Sequence, residues 1–239
     1  MNISAPKLEN ILFVDIETVP QYPKYEDMPK ELQLLWDKKA SHIIVNDQTP
    51  QSIYSKAGIY AEFGKIIVIA IAYIRTINKE KKLILKSIYS HDEKKILTIF
   101  NKLLDEYFSG AEKFLCAHNG KEFDFPYITR RSIINNVKVA KTLYNPGAKP
   151  WEVKFIDTLE LWKFGDYKHW TSLDLLANIF GLESPKNDID GSMVYKTYWL
   201  ENDIEKIQKY CRKDVIALVN VYLKIRQLPI IEEKNIIEK

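Results

Sequence analysis

The chain has 239 residues, 46% hydrophobic and 28% charged, with a formal net charge of only +3. It is long enough to bury a core without staples, and its charge is too even to name a partner by itself. Two cysteines in no CxxC pattern, Cys116 and Cys211, argue against a disulfide framework or a zinc site. The longest apolar run, Ile66 to Ile74, is far short of a membrane span, and Met1 to Pro6 carries no signal-peptide pattern, so a cytoplasmic location is expected.

In chain order, residues 10–18 read as a first strand. Residues 19–60 are less regular: Pro20, Pro23 and Pro29 interrupt the start, and Glu31 to Lys39 has the spacing of a short helix around Leu32, Leu35 and Trp36. Ile66 to Tyr73 is rich in β-branched residues and predicts a central strand. A polar turn at 78–82 follows, and Leu83 to Tyr89 pairs back as a hairpin. Helical spacing over His91 to Phe108, with Ser90 as N-cap, leads to a short buried strand, Phe114 to Ala117. His118-Asn119-Gly120 then reads as a turn into a helix through Tyr127 and Ile128. Phe155 to Asp157 predicts another short strand, Ser172 to Phe180 a helix stopped by Gly181, and Asp203 to Ile225 a long amphipathic helix. Alternation of this kind predicts an α/β fold, a mixed β-sheet flanked by helices. One domain over 1–239 is expected, with an irregular insertion at about 20–60.

Three segments place acids where packing alone would not. In Val14-Asp15-Ile16-Glu17-Thr18 the two carboxylates share one face of a strand, because side chains alternate with period two. Like charges at the end of a core strand need a neutraliser, and carboxylate oxygens suit a hard divalent cation, Mg²⁺ or Mn²⁺. Asp124 lies between Phe123 and Phe125 at the start of a helix. Asp214 falls on the apolar seam Ile204, Ile207, Cys211, Leu218, where a lone acid is costly, with Tyr210 one helical turn before it. Together, Asp15, Glu17, Asp124 and Asp214 are candidates to converge on a pair of metals about 4 Å apart, an arrangement suited to in-line displacement at phosphorus.

In order and separation, Asp15-Ile16-Glu17, Asn119 to Asp124, and Tyr210-x-x-x-Asp214 resemble the three motifs of the DEDD exonuclease superfamily, in its DEDDy branch. The closest resemblance is to stand-alone relatives of the proofreading exonuclease domain of family B DNA polymerases, over roughly residues 10–225. Supporting matches are Glu62 to Ile66, Ser172 to Ala177, Asp190-Gly191-Ser192 and Tyr198-Trp199. The resemblance implies a ribonuclease H-like fold and metal-dependent 3′–5′ removal of nucleoside 5′-monophosphates from DNA, single strands preferred. It implies that Asp15, Glu17, Asp124 and Asp214 ligate two ions and that Tyr210 contacts the attacking water or the scissile phosphate. It further implies that Thr18 and Val19 meet the terminal nucleotide and that Asn119 and Phe123 line the strand's path.

A rival third motif, His169 to Asp174, has the spacing of the DEDDh branch but falls before its helix. Asp157 is read as capping the turn at Thr158. Lys121, Arg130, Arg131, Arg212 and Lys213 are candidates for phosphate contact, and Trp151, Trp162, Trp170 and Trp199 are read as core. Two other functions stay open: an exoribonuclease of the same fold and a catalytically silent nucleic-acid-binding scaffold. Because the chain ends soon after the third motif, no polymerase domain is expected, and a polymerase or repair partner in trans stays unassigned.

Overall fold

The computed structural model describes residues 6–149, 152–166, 170–183 and 189–239. Its centre is the strand β1 (Ile11–Pro20), which lies antiparallel to β2 (Gly64–Ile77) and parallel to β4 (Phe114–Ala117). β3 (Glu80–Tyr89) pairs antiparallel with β2, β5 (Phe155–Asp157) parallel with β4, and β6 (Ile236–Glu238) parallel with β3. The six strands run in the order β5-β4-β1-β2-β3-β6. The β2–β3 hairpin closes through Asn78 and Lys79, with φ of 50° and 67°. Two positive φ values are what a two-residue hairpin turn of matched twist requires.

Helices cover both faces. On one face lie α2 (Glu93–Tyr107) and α3 (Asp124–Ile134), packed on Leu12, Val14, Ile16, Ile69 and Ile71. On the other, α6 (Val194–Trp199) and α7 (Ile204–Ile225) pack on Ile11, Phe13, Ala70 and Ala72. The even and odd positions of β1 thus feed separate cores, as strand alternation dictates. The register of β1 on β2 shifts between Glu17 and Thr18, and the neighbouring Ile67 and Val68 both join the α7-side core. Consecutive residues on one face are the mark of a β-bulge, here beside the two acids. Two short helices, α4 (Thr158–Lys163) and α5 (Leu173–Ile179), follow β5.

Several expectations need correction. The N-cap of α2 is Asp92, whose carboxylate accepts from Lys95 N, while Ser90 Oγ accepts from Asp92 N. The helices α4 and α6 and the strand β6 are too short for periodicity to reveal. Residues 20–63 are more ordered than their prolines suggest. α1 (Lys30–Ala40) and a 3-10 turn (Tyr54–Ile59) bury Trp36, Ala40, Tyr54, Ala57 and Phe63 in a cluster of their own.

One buried ion pair ties the frame together. Glu93 accepts from Arg131 Nη2 at 2.6 Å, from Ile66 N at 2.7 Å and from Asn135 Nδ2 at 2.8 Å, and Arg131 Nη1 reaches the Ala61 carbonyl. α2, α3, β2 and the segment before β2 thus meet at one charge pair, and Arg131 is not available to a phosphate. Removing one partner strands the other's buried charge, so Arg131→Met should cost about 3–5 kcal/mol in urea unfolding. A loss below about 1 kcal/mol would show that the pair is not structural.

Candidate functional site

β1 and α7 bring the first acids together. Asp15 and Glu17 face α7, on the side of the sheet that carries Phe13 and Val19. Cys211 Sγ lies 3.2 Å from Asp15 Oδ2, and ligand atoms of Asp15, Glu17 and Cys211 all lie within 4.8 Å of one another. Glu17 is 9% exposed, yet among the described residues no hydrogen-bond donor or cation reaches its carboxylate. Cys211 is therefore more than the buried thiol that its apolar neighbours suggest. The signal was available in its spacing, one residue past Tyr210 and three before Asp214 on the seam that faces β1.

Asp214 and Asp124 complete the cluster. Both are buried, at 8% and 4% exposure, and the charge of each raises the pKa of Asp15 and of Glu17. Asp124 opens α3, where its carboxylate lies near its own backbone N–H and that of Ile16, the residue between the two strand acids. Burial, then the charge of Asp157, pushes Asp124 up to about 7, against the pull of those two N–H groups. Part of Asp15 meets solvent, but burial is still the largest cause of its upward shift, followed by Asp214, Glu17 and Asp124. Glu17 is raised by burial, then by Asp214 and Asp124. The phenol of Tyr210 lies beside the Asp214 carboxylate, and burial followed by three acids holds it in its protonated form. The four sequence-predicted acids and Tyr210 thus converge, from one strand and two helices, on one concentration of negative charge.

The loop before Asp124 is shaped by Asp157. Its Oδ1 accepts from Asn119 N at 2.9 Å and from Leu159 N at 3.0 Å, and its Oδ2 accepts from Lys121 N at 3.1 Å. Asp157 therefore caps α4, as expected, and also fixes the turn that delivers Asp124, which its local sequence does not reveal. Asn119 takes a left-handed φ of 60°. A Cβ at Gly120 would stand 2.3 Å from that of Ala117, so only glycine fits there. His118 is locked beneath this turn between Thr158 Oγ1 and the Thr171 carbonyl, both at 2.9 Å.

The expected substrate contacts divide. Thr18 is partly exposed and lies near the Tyr127 hydroxyl, which donates to the Gly58 carbonyl at 2.7 Å. A Cβ at Gly64 would lie 2.2 Å from that same hydroxyl, which accounts for Phe63-Gly64-Lys65 at the entry to β2. Val19 is fully buried in the α7-side core, so its side chain is not available to a ligand. Phe123 is partly buried against Tyr127, with ring centroids 5.4 Å apart.

Among the basic candidates, Lys121 pairs with Glu160 at 2.6 Å and Arg212 with Glu238 at 2.6 Å, so both are engaged along with Arg131. Arg130 lines a groove on the outer flank of α3. His169, of the rival motif, and Trp151 lie outside the described residues, while Asp174 is partly exposed in the first turn of α5. Trp170 is 65% exposed rather than core, and Trp199 is partly buried against the α7-side core.

No helix among the described residues is long and apolar enough to cross a membrane. The fold is shared with the family B DNA polymerase of the hyperthermophilic archaeon Pyrobaculum calidifontis. That match has a TM-score of 0.54 and 16% identity, and covers 90% of this chain but 24% of the polymerase. The ssDNA complex of E. coli ExoI in its zinc-bound form aligns with a TM-score of 0.39 and 12% identity, over 90% of this chain and 44% of that one. An ExoI/SSB-Ct complex aligns with a TM-score of 0.37 and 10% identity, over 84% of this chain and 43% of that one. No curated protein matches the sequence. A family model described as a predicted 3′–5′ exonuclease related to the exonuclease domain of PolB matches residues 59–233, a span that includes Asp124, Tyr210 and Asp214. With its α/β, ribonuclease H-like sheet, the chain belongs to this family of predicted 3′–5′ exonucleases related to the exonuclease domain of PolB.

Proposed function

We propose that this protein is a metal-dependent 3′–5′ exonuclease that hydrolyses DNA from its 3′ end and releases nucleoside 5′-monophosphates. The observation that carries the reading is Glu17, nine-tenths buried among three other acids and the Cys211 thiol, with no cation beside it among the described residues. The donor set fits hard divalent ions, Mg²⁺ or Mn²⁺, because carboxylate oxygens dominate it. Asp15, Glu17, Asp124 and Asp214 would hold two such ions, with ligand atoms of Asp15 and Glu17 within 4.8 Å of each other. When bound, the ions supply activation of a water and stabilisation of the leaving 3′ oxygen.

The chain's own groups supply position. The Tyr210 hydroxyl, kept protonated by burial and the neighbouring acids, would donate a hydrogen bond to the water or the scissile phosphate. The turn fixed by Asp157 presents Asn119 to the strand, and Phe123 stands beside it at the start of α3. Thr18 meets the terminal nucleotide at the end of the acid-bearing strand. A frayed or single-stranded end avoids the cost of unstacking, which favours single strands.

Digestion of a 3′-labelled single strand with Mn²⁺ should release mononucleotides. Asp15→Ala and Asp214→Ala should each lose several kcal/mol of transition-state stabilisation, on the order of 10³-fold in rate. Tyr210→Phe should lose about 10–100-fold, as for groups that orient a metal site. Full activity in either Asp variant would exclude the reading. Matched DNA and RNA oligomers separate it from an exoribonuclease, which would reverse the preference.

The same acids predict how stability responds to pH. Their folded pKa values are raised, so the stability they contribute is complete below an unfolded carboxyl pKa of about 4 and is lost as pH rises through the folded value, about 7 for Asp124. The metal-free protein should melt lower at pH 8 than at pH 5. At pH 8 Asp15→Asn should raise its midpoint by about 4–8 °C, the size of about 2 kcal/mol in a chain of this length. Mn²⁺ should raise the wild-type midpoint and leave that of Asp15→Asn nearly unmoved. Calorimetry showing an equal Mn²⁺ response in both proteins would count against metal binding at these acids.

A further inference from the structure

Of the four described tryptophans, the fold leaves one in solvent. Trp36 is fully buried, Trp162 and Trp199 are partly buried, and Trp170 is 65% exposed. A single exposed apolar side chain is ordinary. What sets Trp170 apart is how it is held. Its ring meets that of His118 edge to face, with centroids 6.4 Å apart and planes at 70°. His118 Nε2–H donates to the Thr171 carbonyl, since a carbonyl only accepts, and this leaves Nδ1 to accept from Thr158 Oγ1, both at 2.9 Å. Burial lowers the pKa of His118, which favours this neutral form. One residue further on, Ser172 caps α5 by accepting from Leu175 N. The backbone that carries the indole is therefore anchored on its C-terminal side, and the ring leans on a fixed support.

That support stands beside the acids. β4 runs parallel to β1 with Cys116 paired to Phe13, and both residues belong to the α7-side core. Two residues on, the same register sets His118 next to Asp15, at about the 4.8 Å spacing of neighbouring strands. α4 and α5, which flank Trp170 in the chain, pack Leu161 and Leu173 on that same core. Trp170 thus lies on the face of the sheet that carries Asp15 and Glu17, one strand and one ring away from Asp15. Asn119, the next residue after His118, belongs to the turn that delivers Asp124.

We infer that Trp170 is a stacking platform for one base of the single strand whose 3′ end reaches the acid cluster, an inference that rests on the nuclease reading of that cluster. An edge-to-face contact leaves at least one face of the indole open, whichever ring supplies the edge, and a base needs one open face to stack. The acids repel a strand's phosphates, so a contact that draws on no charge is the kind that can hold the strand beside them. Stacking also accepts any base, as removal of successive nucleotides requires.

The test is fluorescence anisotropy of labelled oligothymidylate on the full chain, in an Asp15→Asn background so that turnover does not consume the probe. Adding Trp170→Ala should weaken binding about 5–150-fold, and Trp170→Phe should restore most of it. The loss should be the same at low and high salt, because stacking releases no counterions. Tyr107, also 65% exposed but at the end of α2 on the opposite face, is the control, and Tyr107→Ala should bind unchanged. Abasic residues are then placed one at a time along the strand. At one position the abasic probe should bind more weakly to the Trp170 protein, with no further loss in Trp170→Ala. A merely structural role would leave those abasic penalties equal in the two proteins, and that result overturns the inference. So does the absence of saturable binding, binding unchanged by Trp170→Ala, or an equal loss in Tyr107→Ala. Binding unchanged by Trp170→Ala is also what a tryptophan reserved for a partner protein would give. Hydrolysis by the wild type is read separately. Mononucleotide release with normal binding in Trp170→Ala removes the platform alone, whereas the expected abasic pattern without release removes the nuclease reading alone.

Discussion

Two carboxylates on same-facing positions of one buried strand are the constraint that organises this molecule. Asp15 and Glu17 repel each other, are largely withdrawn from water, and lie within the field of Asp124 and Asp214. Such a cluster opposes folding, so the remainder of the structure must hold it. The holding is done by continuous apolar layers on both faces of β1, by the Glu93–Arg131 pair that fastens two helices to β2, and by the bulge opposite Glu17. The frame is stabilised where it carries no chemistry and strained where the acids meet.

The acids come from separate elements for a physical reason. A single strand offers only alternate positions on one face, and a helix only every third or fourth, so no single element can surround an ion. Each contribution is then fixed by backbone. Asp124 lies against the Ile16 N–H of β1, and the turn that delivers it is tied to Asp157 by Asn119 N and Lys121 N. Asp157 is thus an acid of a different kind, satisfied by three N–H groups and spent on geometry.

Much of this was legible in the sequence because it rests on periodicity. The alternation that feeds Phe13 and Val14 to opposite cores also put Asp15 and Glu17 on one face, and the spacing of Ile207, Cys211 and Leu218 put Asp214 on a buried seam. The elements that escaped are those too short to show a period, α4, α6 and β6. Pairwise contacts escaped too. Nothing around Arg131 announces that Glu93 will claim it, or around Cys211 that it will touch Asp15, since each partner is distant in sequence. The Ser90 cap failed for a narrower reason: Asp92, two residues on, competes for the same role and takes it.

The stretch from Pro20 to Phe63 carries one more implication. It is stitched to α6 by the Tyr195 hydroxyl on the Pro23 carbonyl and by the Trp199 indole on the Pro20 carbonyl, while Tyr127 reaches across to Gly58. The strand that bears Asp15 and Glu17 therefore leaves the sheet into a clamp, not a free loop. Opening fluctuations at its exit must loosen the Trp36 cluster and α6 together, so this corner should breathe as a single cooperative unit. Amide protons on β1, α1 and α6 would then trade with solvent in step, although more than 150 residues of chain separate Pro20 from Val194.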